Sequence, residues 1–213
     1  MIVVRNLFLK YIREYYALYD INLKVDSGET VVLLGDENSG KTSFLRILAK
    51  QEKMSKGEVY IKDIPLKKLS LATDISMGYL PEKPVYLKNK SVFENLKYAV
   101  KVRKLPVKEQ VAIVNNALID FNIEKYKDVS EKDLTTFEAY YIALVRLSLR
   151  KLDILLVDNI FDKLNTEESN AIINMINELF LSKGVTAIIA TTKKEIADSF
   201  NGRILHFNNG SVM

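Results

Sequence analysis

The chain has 213 residues, 48% of them hydrophobic, enough for one full core or one core with a subdomain. It has no cysteine and one histidine, His206, which excludes disulfides and thiolate metal sites and leaves little room for histidine chemistry; His206 is expected to be a partly buried strand residue. The 31 Lys and Arg are interspersed with 27 Asp and Glu for a net charge of +4, which reads as a solvated surface and not a nucleic-acid groove.

No apolar run approaches the roughly 18 residues of a membrane span, and Met1-Ile2-Val3-Val4-Arg5 lacks the plan of a signal peptide. A reducing cytosol is the expected compartment. Ile2 to Lys10 and Ile21 to Val25 alternate as half-exposed strands, and Asp26-Ser27-Gly28-Glu29 is a turn. Thr30-Val31-Val32-Leu33-Leu34 reads as a buried strand leading into Gly35-Asp36-Glu37-Asn38-Ser39-Gly40-Lys41-Thr42. That run has the form G-x-x-x-x-G-K-S/T of the phosphate-binding P-loop. Its glycines let the backbone curl around an anion with N–H groups turned inward. Lys41 supplies a charge for the outer phosphates, and the Thr42 hydroxyl can ligate Mg²⁺. Ser43 to Lys50, with Phe44, Leu45, Ile47 and Leu48 apolar, reads as a helix aiming its N-terminal dipole at the phosphates. Gly35 through Ser43 are therefore the candidate nucleotide-binding residues.

Glu58 to Ile61 and Ile75 to Leu80 are predicted strands. Helical periodicity then runs over Ser91 to Arg103, Pro106 to Phe121 and Thr136 to Lys151, with a capping box at Ser91 and Glu94 and Pro106 in a first turn. This block reads as a helical insert in an α/β core. Strand character returns at Ile154-Leu155-Leu156-Val157, which delivers Asp158 to its C-terminal end in the Walker B form, placed to hold Mg²⁺ beside the P-loop. A helix from about Thr166 to Ser182, a buried strand over Thr186 to Thr191 and a short helix over Lys193 to Phe200 follow. Arg203 to Phe207 and Ser211 to Met213 flank the hairpin turn Asn208-Asn209-Gly210. Buried strands alternating with helices imply a mainly parallel sheet.

With these motifs in place, the chain resembles the nucleotide-binding domain of ABC transporters over nearly its whole length. Tyr11 precedes Ala17-Leu18 and the Gly28-Glu29 turn where the family places an aromatic that stacks on adenine; ordinary strand packing is the alternative. Tyr79-Leu80-Pro81-Glu82 resembles the start of the Q-loop, and Ser91-Val92-Phe93-Glu94-Asn95-Leu96 the opening of the family's helical subdomain. Phe161-Asp162-Lys163-Leu164-Asn165 and the tail from Gly184 to Gly210 look most like the cell-division, lipoprotein-release and macrolide-export branch. The resemblance implies an α/β fold: a P-loop NTPase core of ABC type, with an N-terminal antiparallel β portion and a helical subdomain at about 85–150, all in one domain over 1–213. It also implies ATP and Mg²⁺ as cofactors, a membrane-embedded transporter subunit as partner, and a peripheral place on the inner face of the cell membrane. No nucleic-acid partner is expected.

Against the family pattern the chain departs where hydrolysis occurs. The signature loop L-S-G-G-Q reads Leu134-Thr135-Thr136-Phe137-Glu138. The catalytic glutamate position holds Asn159, the switch histidine position Thr192, the Q-loop glutamine position Glu82 and the D-loop aspartate position Asn165. Asn38 replaces a P-loop glycine, a mild change because asparagine tolerates left-handed backbone. Asn159 cannot take a proton, and losing a positioned general base costs about 10²–10⁴ in rate. Glu82 is either a Mg²⁺ ligand, a displaced base or an exposed loop acid. Phe137 and Glu138 are expected to obstruct a partner's phosphate, while Thr135 retains a hydroxyl. Tyr140 and Tyr141 serve either helix packing or a partner surface.

The expectation is an ATP-binding subunit that binds MgATP through Gly35–Ser43, Asp158 and Thr42, with weak or absent hydrolysis and a conformational or regulatory role. A second nucleotide-binding subunit in a heterodimer is favoured over a homodimer. The alternatives are an active transport ATPase completed by a consensus partner subunit, and a nucleotide-free scaffold.

Overall fold

Alternation sets the first two strands. In the computed structural model, which describes residues 1–12, 15–71 and 74–213, β1 (Ile2–Ile12) buries Ile2, Val4, Leu7 and Leu9. β2 (Tyr15–Val25) returns antiparallel and buries Ala17, Leu18, Ile21 and Val25. Both strands depart from strict alternation. Asn6 and Asp20 take left-handed backbone, φ 44° and 51°, and the pairing shifts register between Val4 and Leu7.

β3 (Thr30–Leu34) is buried along its whole length and feeds the P-loop, after which α1 (Lys41–Leu48) begins at the loop's own lysine. β4 (Lys56–Ile61) and the two-residue β5 (Ile64–Pro65) complete an antiparallel sheet in the order β2-β1-β4-β5. β6 (Met77–Leu80) leads to α2 (Val92–Lys101), α3 (Val107–Asp120) and α4 (Thr136–Ser148). Then come β7 (Ile154–Asp158), α5 (Thr166–Leu179), β8 (Thr186–Thr191), α6 (Lys194–Asp198), β9 (Arg203–Asn208) and β10 (Ser211–Val212). The second sheet has the order β10-β9-β3-β8-β7-β6, parallel except for β10.

The central strands β3, β7 and β8 are covered on both faces, so they read as unbroken apolar runs. Val32, Leu34, Leu155, Val157, Ala187 and Ile189 face one core, shared with α2, α3, α4 and α5. Val31, Leu33, Ile154, Leu156, Ile188 and Ala190 face the other, shared with α1 and the antiparallel sheet.

Side chains set the starts of three helices. The capping box at Ser91 and Glu94 is present, and two further boxes open α4 (Thr135 with Glu138) and α5 (Asn165 with Glu168). Pro106 is the residue before α3, one position outside the expected turn. His206 lies in β9 as expected, but it is exposed and not partly buried.

The C-terminal hairpin confines the P-loop. Its Asn209-Gly210 turn has φ 45° and 77°, as a two-residue hairpin requires. The Gly210 N–H donates to the Ser39 carbonyl at 3.0 Å. A Cβ on Gly35 would lie 2.2 Å from the Phe207 carbonyl oxygen. Gly35→Ala is therefore expected to destabilise the nucleotide-free protein by about 1–3 kcal/mol through overpacking. Urea unfolding checks this: the midpoint should fall at constant m, and an unchanged midpoint would show that the hairpin does not confine the loop.

Candidate nucleotide site

The carboxyl ends of β3, β8 and β7 lie side by side, with Leu34 opposite Thr191 and Asp158 opposite Ala190. A crevice at this edge is where open parallel sheets take ligands. A cleft of about 370 Å³ opens there, lined by Asn38 through Ser43, Tyr11, Tyr15, Ala17, Arg46, Glu82 and Asn159. Asp36, Glu37 and Asn38 are exposed at its rim, and Asn38 takes φ 61°, the left-handed geometry its side chain tolerates.

Unlike α2, α4 and α5, α1 has no side-chain cap; its N-cap is Gly40, with φ 103°. An uncapped helix N-terminus at a cleft leaves its first N–H groups and its dipole to an anion. Lys41 is 2% exposed. Its ammonium donates to the carbonyls of Gly35 (2.7 Å) and Asp36 (2.8 Å) and to Ser39 Oγ (3.1 Å). Burial lowers its pKa, and the charge of Asp158 opposes that shift.

Thr42 Oγ1 donates to Asp158 Oδ1 at 2.8 Å, so two of the three candidate metal groups already meet. Tyr79, which the sequence reading did not single out for a role, donates from its hydroxyl to Asp158 Oδ2 at 2.8 Å. Burial raises the Asp158 pKa above its ordinary value even so. It also raises that of Tyr79, which stays a proton donor. Among the described residues no group of three or more His, Cys, Asp or Glu can hold a metal. A cation there would draw most of its oxygen ligands from phosphate and water, the habit of Mg²⁺. The residues fit that ion: one hydroxyl and one carboxylate beside a phosphate-shaped loop.

The other candidates surround this centre. Tyr11 is half exposed, and its hydroxyl lies 2.9 Å from Ser43 Oγ. Asn159 stands in left-handed backbone at φ 48°, and its buried Oδ1 finds no hydrogen-bond partner among the described residues. Thr192 turns to Asp162, donating from Oγ1 at 2.8 Å. Glu82 pairs with Lys163 at 2.9 Å, which lowers its pKa, and its backbone carbonyl accepts from the Tyr140 hydroxyl. Tyr140 is fully buried and the Tyr141 hydroxyl reaches the Phe121 carbonyl, so both serve helix packing. Lys163, Asp162 and Tyr79 lie within motifs read from the sequence, but no motif gave them these partners; only the fold brings them together.

A family model described as ABC transporter matches residues 18–162, more than half of the chain. The chain belongs to the ABC transporter family. The lipoprotein-releasing system ATP-binding protein LolD of Rickettsia typhi is 26% identical over 212 residues, covering 96% of each chain. The sulfate/thiosulfate import ATP-binding protein CysA of Halalkalibacterium halodurans is 28% identical over 215 residues, covering 99% of this chain. The chain spans nearly all of that LolD but 60% of the length of CysA. The fold matches the dimeric ATP-binding cassette MJ0796, solved in a post-hydrolysis state with ADP and Pi, at a TM-score of 0.88 and 22% identity, covering 100% of this chain and 96% of that one. Similarity is thus spread over import and release systems of the ABC family.

The raised Asp158 pKa sets a pH dependence. A carboxyl raised on folding costs stability fully above its folded pKa, and that cost fades as pH falls towards the ordinary value of 3.8. Asp158→Asn is expected to raise the melting temperature of the nucleotide-free protein by a few degrees at pH 7, with the gain shrinking in acid. A less stable variant at pH 7 would show that the two hydroxyl donors outweigh burial.

Proposed function

We propose that the chain is the ATP-binding subunit of an ABC transporter-like membrane complex, holding MgATP with weak or absent hydrolysis and acting through conformation. The observation that carries this is the uncapped N-terminus of α1 beside the Thr42–Asp158 pair, with Asn159 and Thr192 at the positions of the catalytic groups. Gly35 through Ser43 would cradle the phosphates, Lys41 would exchange loop carbonyls for phosphate oxygens, and Thr42 and Asp158 would hold Mg²⁺. The bound cation would supply charge neutralisation across the phosphates. Tyr11, which lines the cleft, would flank the base, and the Glu82 ion pair with Lys163 favours a structural acid over a metal ligand or a base.

The exposed apolar residues Val85 in the loop after Glu82, Tyr98 in α2 and Val102 just past α2 suit a membrane-embedded partner at the inner face of the cell membrane. No helix among the described residues is long and apolar enough to cross a membrane. We take 1–213 as one nucleotide-binding domain with its helical subdomain at about 85–150.

Calorimetric titration with MgATP tests the site. Lys41→Ala should weaken binding by at least about tenfold. Equal affinity of variant and parent would remove the site assignment, and no binding by the parent would leave the scaffold.

A second subunit is expected to be different from this one. Thr135 Oγ1 accepts the Glu138 N–H, and the Glu138 carboxylate accepts the Thr135 N–H and the Tyr126 hydroxyl. The start of α4 is thus closed by its own acid, while Phe137 packs its ring near Tyr141. A helix terminus closed by a carboxylate repels a partner's phosphate, and a homodimer would carry that defect at both sites. Light scattering in excess MgATP should show no tight homodimer, whereas a stable homodimer appearing only with ATP would overturn the heterodimer.

A further inference from the structure

Tyr79 lies on β6 opposite Leu156 of β7, half buried against the core beneath α1. A phenylalanine would fill the same space, so packing accounts for the ring but not for the hydroxyl. The hydroxyl donates at 2.8 Å to Oδ2 of Asp158, a carboxylate only 1% exposed. The other oxygen accepts from Thr42 at 2.8 Å. The terminal torsion of an aspartate is broad when nothing holds it, and one donor on each oxygen fixes it. With its proton directed to Asp158, the Thr42 oxygen turns its lone pairs away from the carboxylate, where a cation can use them.

We propose that Tyr79 is a positioning residue for the divalent cation: its hydroxyl holds Oδ2, which aims Oδ1 at Thr42 and presents the remaining carboxylate lone pairs to the cation's water shell. This rests on the MgATP site proposed above. Tyr79 touches neither nucleotide nor cation; it acts through Asp158.

The test compares the parent chain with Tyr79→Phe. Each is titrated with ATP in excess Mg²⁺ and again in excess EDTA, and Mn²⁺ binding to the ATP-loaded protein is followed by electron paramagnetic resonance. Losing one hydrogen bond to a charged group should weaken binding in Mg²⁺ by roughly tenfold and shift the Mn²⁺ midpoint the same way. Binding in EDTA should be unchanged. Equal affinities in Mg²⁺ overturn the proposal. An equal loss in Mg²⁺ and in EDTA overturns it too, because a packing role would move both. If the parent binds no ATP, or gains nothing from Mg²⁺, the MgATP reading fails and the role of Tyr79 with it. A parent that gains from Mg²⁺ beside an unaltered Tyr79→Phe variant removes only the role of Tyr79.

Discussion

The bond from Thr42 to Asp158 joins the first turn of α1 to the last residue of β7, across the end of β8. For it to form, β3, β8 and β7 must end level, and the P-loop must return α1 to the same edge. The apolar strand runs favour the first condition, since a slip of a central strand along its neighbours would draw polar residues at its ends, Glu29, Asp153 and Asp158 among them, into the apolar layers. The second is met by the confined loop, with Gly35 against Phe207 and Ser39 bonded to Gly210. The result is a carboxylate buried at a cleft with two hydroxyl donors and, among the described residues, no cationic side chain bonded to it. Burial works against its charge, and a divalent cation is the group that would relieve it.

Around that centre, several positions read from the sequence as altered family motifs have local structural roles. Thr135 and Glu138 cap α4, Asn165 and Glu168 cap α5, and Thr192 is bonded to Asp162. Such caps contribute about 1 kcal/mol each. They also engage the polar groups locally: the Thr135 hydroxyl bonds within its own turn, and Glu138 is held by Tyr126 as well. The P-loop shows the opposite arrangement, with an uncapped helix and a lysine whose hydrogen bonds among the described residues go to its own loop.

The core strands were legible in the sequence because burial on both faces leaves continuous apolar runs. The first half of β2 was not: Tyr15, Tyr16 and Tyr19 are exposed aromatics, and Asp20 in left-handed backbone breaks the alternation. Lys41, Thr42 and Asp158 were legible because the phosphate loop and the strand-end acid have fixed local patterns. The partnerships of Tyr79 with Asp158, Lys163 with Glu82 and Asp162 with Thr192 span 79, 81 and 30 residues, so only the tertiary fold creates them. The boxes at Thr135 and Asn165 carried a readable S/T/N-x-x-E signal. It was masked by reading those residues as altered family motifs.

Single-turnover cleavage tests the central claim most directly, that this site holds MgATP without the groups that activate water. The isolated chain is placed in excess over ATP with saturating Mg²⁺, and bound nucleotide is sampled over time. ATP is expected to remain intact, with ADP accumulating no faster than in the Lys41→Ala control. Cleavage at the rates of ordinary enzymes, on the order of 1–10 s⁻¹, would contradict the claim and return Glu82 to consideration as the base.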